Sequence, residues 1–348
     1  MNYHLFNPDH EIALAMNTRS FVPSRNVRQM CHDLAFLPAL WADDGDGVIA
    51  EDAEYAWQVY EALGLKNKKN MLFLSLKDAA TRITQHDCIS PWGWNMAIRE
   101  TLRTAGIPTT MLPTEERLQE WRTLSGRALA TKILEEQKAE ERTVGTAEVC
   151  DTVCAVEDFL KVHRDIVIKA PYSSSGRGVR FVNTIDEPTR NWVVRTIRQQ
   201  GYVTVEKKYT KLLDFAVEYE ITATGELQRK GLSVFQADGA AYTGNLLMSE
   251  EEKWNILSQY LSQEVTEKAL CSLESSLANH LSDKYYGPFG VDMMMVDCKH
   301  EAYLHPCVEI NLRRTMGHVA LALSQRGERG VMRTVFDGGR FGLNTGKA

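Results

Sequence analysis

Two apolar runs near the end of the chain, Phe289-Gly290-Val291-Asp292-Met293-Met294-Met295-Val296 and Cys307-Val308-Glu309-Ile310-Asn311-Leu312, each enclose a carboxylate where β sequence should be purely apolar. An ionised carboxylate left unpaired in a core costs several kcal/mol. Each must therefore meet a cation, a donor network or an altered protonation state. The polar Asp297-Cys298-Lys299-His300 turn joins the runs as a hairpin. Glu309 and Asn311 are two apart and share a sheet face, which Asp292 can also share across the hairpin. Three oxygen-bearing side chains on one face suit Mg²⁺ bridging phosphates. Structural pairing of each acid with a nearby arginine, Arg313 or Arg314, fits the pattern equally well.

A second unusual stretch runs from Val167 to Val182. Apolar β-rich segments flank the small-residue loop Ala170-Pro171-Tyr172-Ser173-Ser174-Ser175-Gly176-Arg177-Gly178, the pattern of a hairpin whose tip exposes backbone N–H groups and hydroxyls. A polyphosphate could approach such a tip between Lys169 and Arg177. The loop by itself reads equally as a surface turn with two solvated cations. Its spacing is neither that of a P-loop nor that of a dinucleotide-binding turn.

At 348 residues the chain has room for two or three domains and a sizeable core. No apolar run approaches the roughly 18 residues of a membrane span, and the first residues lack a basic and apolar leader pattern, so a cytoplasmic protein without a membrane partner is expected. The seven cysteines are scattered without a C-x-x-C pair, and Cys150 and Cys154 have no second pair to complete a zinc site. Reduced thiols follow. A net charge of −6 without a dense basic tract argues against nucleic acid as a partner.

Taken in order, residues Tyr3 to Phe6, Met71 to Leu76 and Ile107 to Leu112 read as strands, and Ala53 to Leu63 and Trp94 to Thr104 as helices, which predicts a small parallel α/β sheet. Ligands of such sheets sit beyond the carboxyl ends of strands, so Asn7, Asp9, His10 and Glu11 are candidates for gripping a substrate; turn and capping roles are the alternative. Pro23 to Asn26 reads as a second polar loop. A boundary falls near residue 113. Arg127 opens an amphipathic helix, and a small block follows: a strand near Arg142 to Val149, a helix from Val153 to Val162, the Lys169 hairpin, a helix near Asn191 to Gln200 and a strand from Tyr202 to Glu206. Longer strands, Phe215 to Ala223 and Leu227 to Gln236, turn at Thr224-Gly225. One long helix is expected from Glu251 to Asp283 and a last one from Met316 to Gln325, with a frayed tail after Gly338.

Together, the basic hairpin loop, the Glu206-Lys207-Lys208-Tyr209 strand end, and the carboxylate pair closing on Glu309-x-Asn311-x-Arg313 resemble one family, the ATP-grasp enzymes, over roughly residues 127 to 325. The resemblance implies an α/β fold, α+β in the catalytic part. It divides the chain into a preceding α/β domain (1–112), linker helices (113–140), a mobile lid (141–208) and a C-terminal catalytic subdomain (209–348). It makes Lys169 and Arg127 the phosphate contacts, and Ser173, Ser174, Ser175, Gly176, Arg177 and Gly178 the loop over the nucleotide. Glu206, Lys207 and Tyr209 become the adenine hinge and Glu218 the ribose contact. Asp292, Glu309 and Asn311 become the Mg²⁺ ligands, with Mn²⁺ as a substitute. Asp292 stands where many members carry glutamate.

The activity implied is an ATP-dependent ligase: a carboxylate is phosphorylated, and the acyl phosphate is attacked by an amine or another nucleophile. Lys169 would stabilise the moving phosphoryl group, and Arg313 would steady the substrate carboxylate or the tetrahedral intermediate. For His318, a capping or core role outweighs substrate orientation. The rivals are a small-molecule kinase built on the same site and a non-catalytic nucleotide-binding protein. Partners implied are ATP and small carboxylate and amine substrates, with homo-oligomerisation left open.

Overall fold

The computed structural model of the chain describes residues 1–65, 68–173, 176, 178–239 and 241–346. Contacts divide it into two compact units, one built from residues 1–122, 243–249 and 313–348 and the other from 123–242 and 250–312. Residues 313–348, expected with the catalytic subdomain, thus fall with the N-terminal segment.

The first unit opens on four short strands, β1 (Asn2–Leu5), β2 (Gly47–Ile49), β3 (Leu72–Leu74) and β4 (Cys88–Pro91). They lie in the order β3-β2-β1-β4 and pair in parallel throughout, which is the sheet the alternation of strand and helix predicted. Side-chain caps start the intervening helices: Asp52 accepts from Tyr55 N–H, Ser75 from Asp78 N–H and Asn95 from Ile98 N–H. Strands β2 and β4 were not among the expected strands. The segment Ile107 to Leu112 is not a strand; it makes a 3₁₀ turn over Thr109–Met111 while Ile107 and Leu112 pack on Leu102. Pro108 lacks the N–H that a ladder needs there. The expected loop at Pro23 to Asn26 instead opens a helix, Arg25–Asp33.

Strands β1, β2 and β3 step in one direction and β4 lies on the other side of β1, so the topological switch point is between β1 and β4. The loops leaving these two strands are tied together. Asn7 Nδ2 donates to Gly93 C=O at 2.8 Å, Gly93 N–H donates back to Asn7 Oδ1 at 3.3 Å, and Asn95 Nδ2 lies 3.3 Å from His10 Nδ1. Glycine is required at position 93, because a Cβ would sit 2.5 Å from the His10 ring. Gly93→Ala should cost roughly 1–3 kcal/mol as an overpacked site. An unshifted urea midpoint would show that His10 moves aside freely.

The second unit begins with a four-stranded antiparallel sheet, β5 (Ala147–Cys150), β6 (Ile166–Lys169), β7 (Val179–Val182) and β8 (Val203–Lys207), in the order β5-β8-β6-β7. The helices Val153–His163 and Glu187–Gln200 close over it around Val156, Phe159, Ile168, Val193 and Val205. Two long strands follow, β9 (Thr210–Ile221) and β10 (Leu227–Asp238). Strand β11 (Ala241–Leu247) carries the chain into the first unit. The expected long helix is two, Glu250–Leu257 and Gln263–Leu281. Ser262 breaks it by taking an extended conformation and capping Val265 N–H. Strands β12 (Gly287–Cys298) and β13 (Glu301–Asn311) then complete an antiparallel run of neighbours β13-β12-β9-β10.

Back in the first unit, the helix Met316–Gln325 packs Val319, Ala320 and Leu323 into a core with Phe36, Leu37 and Leu40. The tail is not frayed. Strands β14 (Gly330–Asp337) and β15 (Arg340–Gly346) form a hairpin. Gly338 and Gly339 both have positive φ, which lets them make the tight turn between the strands. Phe336 and Phe341 pack ring to ring at 4.7 Å across that hairpin, so the glycines serve a turn where the sequence reading took them for looseness.

Candidate functional site

The register of β9, β10, β12 and β13 decides where the anomalous acids point. Asp292 stands opposite Glu309 and Gly290 opposite Asn311, so all three oxygen-bearing side chains occupy one face. Extending the rows across the sheet adds Glu218 beside Gly290, with Ala216, Gly231 and Ser233 around it. Acids alternate with very small residues, and glycine inside a strand marks close approach of a ligand or another backbone. The reverse face is apolar: Phe215, Val217, Tyr219, Phe289, Val291 and Met293 are all fully buried. Asn311 Nδ2 donates to Asp292 Oδ2 at 3.2 Å.

Glu309 is held by a cation 182 residues away in the chain. Arg127 Nη2 donates to Glu309 Oε1 at 2.7 Å, and its Nη1 donates to Ser173 Oγ at 2.9 Å and to Ala170 C=O. Arg127 precedes the helix Ala128–Glu136, whose Leu129, Ile133 and Leu134 are buried and fix its position. The neighbouring Arg313 and Arg314, the structural alternative, do not make this pair. Arg313 lies in the first unit, with Nε on Glu11 and Nη1 donating to Arg314 C=O at 2.8 Å. His318 completes a capping box with Thr315 at the start of Met316–Gln325, the role favoured for it.

Lys169 ends β6 and is 6% exposed. Its Nζ lies 2.7 Å from each carboxylate oxygen of Glu206 on the adjacent strand and donates to Val308 C=O at 3.2 Å. Strand β13 is irregular just before this point: Met293 alone faces Pro306, Cys307 and Val308, between the pairs Asp292–Glu309 and Met294–His305. Pro306, unable to donate to a ladder, is the sequence signal that went unread. Lys207 sits over the Tyr209 ring at 5.1 Å, and the Tyr209 ring meets His305 edge-on at 5.8 Å. Glu218 is 1% exposed, and its charge adds to the burial that raises the Tyr242 hydroxyl pKa. At the hairpin tip Ala170 N–H donates to Gly178 C=O at 2.8 Å and Val179 N–H to Gly176 C=O at 3.1 Å. Ser174, Ser175 and Arg177 lie outside the described residues.

Two carboxylates and an amide oxygen on facing strands are hard donors of the kind Mg²⁺ takes. Among the described residues no group of three or more His, Cys, Asp or Glu is placed to hold a metal. A set short of three acids suits an ion that arrives with phosphate oxygens of its own rather than a resident centre.

The sequence reading missed His305 and Cys307. Both are buried; burial, with Lys169 next, holds the imidazole down at about 3, and burial followed by Glu206 pushes the thiol well up. His4 and His10 in the first unit are held at about 4 by burial. These native values lie below the ordinary 6.5, so the folded protein refuses protons that the unfolded chain accepts. The stability they confer is present above pH 6.5 and lost as pH falls toward 4. Stability should drop by up to about 1.4 kcal/mol per pH unit per histidine in that window. A urea midpoint that stayed flat from pH 7 to pH 5 would contradict their buried, neutral state. All seven cysteines are free thiols, and no helix among the described residues is long and apolar enough to cross a membrane.

A parallel α/β sheet in one unit, with an antiparallel small sheet and an acid-bearing antiparallel hairpin in the other, is the ATP-grasp fold. Solved structures sharing it include a biotin carboxylase from Campylobacter jejuni in a β-γ-ATP complex (TM-score 0.52, 14% identity, 93% of this chain and 69% of that one). Phosphoribosylamine–glycine ligase from Thermotoga maritima aligns with TM-score 0.51 at 12% identity over 96% and 80% of the two chains. N5-carboxyaminoimidazole ribonucleotide synthetase from Thermus thermophilus gives 0.50 at 15% identity over 97% and 83%. No family model matches the chain. No curated protein matches it in sequence.

Proposed function

We propose that the protein is an ATP-dependent ligase that activates a small carboxylate as an acyl phosphate and passes it to an amine or a related nucleophile. One observation carries the reading: Asp292, Glu309 and Asn311 share a sheet face, while two buried cations, Arg127 and Lys169, are hydrogen-bonded to that same hairpin. Asp292, Glu309 and Asn311 would hold Mg²⁺. That ion would supply charge neutralisation on the β- and γ-phosphates.

The chain's own groups account for the remaining requirements. Lys169 and Arg127 offer charge-assisted donors for phosphate oxygens. They are already oriented by Glu206, Ser173 and Ala170, so little reorganisation accompanies the reaction. Residues 141–208 serve as a lid, with Ser173, Gly176 and Gly178 placing main-chain groups over the nucleotide and excluding water that would hydrolyse the acyl phosphate. Ser174, Ser175 and Arg177 belong to the same loop. Glu206, Lys207 and Tyr209 line the hinge for the base, and Glu218 is the acceptor for ribose hydroxyls. Arg313 is the group for the substrate carboxylate.

Relatives in fold include a ligase and a β-γ-ATP complex, which supports ATP as the co-substrate. The test is direct. Purified protein with Mg-ATP and pools of carboxylic and amino acids is assayed for phosphate release and for new masses. A new amide together with phosphate supports ligation. A stable phosphorylated metabolite without an amide would make it a kinase, and no turnover with any pool would remove the enzymatic reading.

A further inference from the structure

We infer that His305 determines which base the nucleotide site accepts: its buried Nδ1 takes a hydrogen bond from an exocyclic amino group and so selects adenine over keto purines. The inference deepens the proposed ligase reading and rests on it.

Position is the first argument. Strand β12 runs in regular register against β9 from Gly287 to Met295, so Asp292 and Met294 point to the same side of the sheet. Met294 is the ladder partner of His305 as Asp292 is of Glu309, which puts His305 on the acid-bearing face. The His305 ring also meets Tyr209, part of the hinge proposed for the base, edge-on at 5.8 Å. One residue thus touches the hinge and shares a face with the acids proposed for Mg²⁺, as a group reading the base of a nucleoside triphosphate must. The small sheet supplies the other wall. Thr204 stands opposite Lys169 in the β6–β8 ladder and Glu206 lies two residues along, so the three share a face. Lys169 reaches Val308 C=O, which turns that face toward β13, while Ile166, Ile168, Val203 and Val205 pack into the core on the reverse.

Unmet hydrogen-bonding capacity is the second argument. Each wall carries a buried polar atom with no partner among the other described residues: Nδ1 of His305, a residue 1% exposed, and Oγ1 of Thr204, 0% exposed. Buried polar groups are nearly always paired, and each exception calls for a physical reason. Lys169 and Glu206 between these walls are spent on each other and on Val308 C=O. The histidine and the threonine are not.

The chemistry of the ring decides what it takes. Burial and the Lys169 charge keep the imidazole neutral, with one N–H and one lone pair. A buried N–H goes unpaired more rarely than a buried acceptor, which assigns the lone pair to Nδ1. A lone pair needs a donor. The amino group of adenine is one, whereas a keto purine sets a carbonyl oxygen in the same place and brings two acceptors together. The Thr204 hydroxyl both donates and accepts, so it cannot make this distinction.

The test titrates the Mg²⁺-supplemented protein with ATP, inosine triphosphate and purine riboside triphosphate, whose base carries neither an amino nor a keto group. The wild type should bind ATP about tenfold more tightly than either analogue. His305→Leu should weaken ATP to the level of the analogues and erase the preference, and Thr204→Val should keep it. His305→Phe, which retains an aromatic ring without the lone pair, is the second variant should His305→Leu not fold, and the same loss is expected. A ratio of affinities does not depend on the fraction of folded protein. A wild type without preference, a preference that survives in the His305 variants, or one lost in Thr204→Val would overturn the assignment while leaving nucleotide binding in place. A wild type that binds none of the three would overturn the nucleotide reading itself, and this inference with it.

Discussion

Glu309→Gln is expected to lower Mg²⁺-dependent ATP turnover by about a hundredfold or more, since a carboxylate that holds the ion contributes several kcal/mol of charge stabilisation. The fold should survive. Arg127 keeps Ser173 and Ala170 as acceptors, and Glu309 is one-quarter exposed, so only part of the pair's worth is lost to stability. A normal turnover rate with an unchanged Mg²⁺ requirement would remove Glu309 from the ion's ligands. The companion change has the opposite sign. Arg127 occupies Glu309 in the structure, so guanidinium and metal compete for one carboxylate. Arg127→Gln should therefore tighten nucleotide-free Mn²⁺ binding, by roughly tenfold if it removes about 1.4 kcal/mol of competing hydrogen bond, while weakening ATP. Equal Mn²⁺ affinity in both proteins would show that the pair does not guard the site.

Lys169→Met should act on stability and binding together. Its partner Glu206 is 7% exposed, and breaking a buried pair leaves an uncompensated charge at roughly 3–5 kcal/mol. Nucleotide affinity should fall about tenfold to a hundredfold with the loss of a charged donor. The double variant Lys169→Met/Glu206→Leu separates the two effects: it should regain most of the stability, because no buried charge is orphaned, and none of the nucleotide affinity. Recovery of nucleotide binding in the double variant would mean that Lys169 serves only to neutralise Glu206. Denaturant midpoints and ATP titrations on the three proteins decide the matter.

The two carboxylates were legible because charge inside apolar β sequence has few physical explanations, and the register of β12 against β13 places them where a hairpin must. Their partner was not legible. Arg127 reaches Glu309 across 182 residues, and no local pattern encodes a pairing that depends on how a helix lies beside a sheet. Glu206 read as a hinge residue, and the structure adds that its carboxylate is engaged by Lys169. The bulge at Pro306 had a local sign in the proline itself.

Local chemistry alone settled several of the longer strands and helices, the parallel character of the first sheet, and the shared face of Asp292, Glu309 and Asn311, since each follows from periodicities of two and about 3.6 residues. Its errors came where one residue outweighs a pattern: Pro108 ending a strand, Ser262 interrupting a helix, paired glycines closing a hairpin. What tertiary structure alone decided is which charges meet. Arg127 with Glu309, Arg313 with Glu11 and Lys169 with Glu206 are settled by packing, because Coulomb energy acts through distance in space and the chain order does not carry that distance.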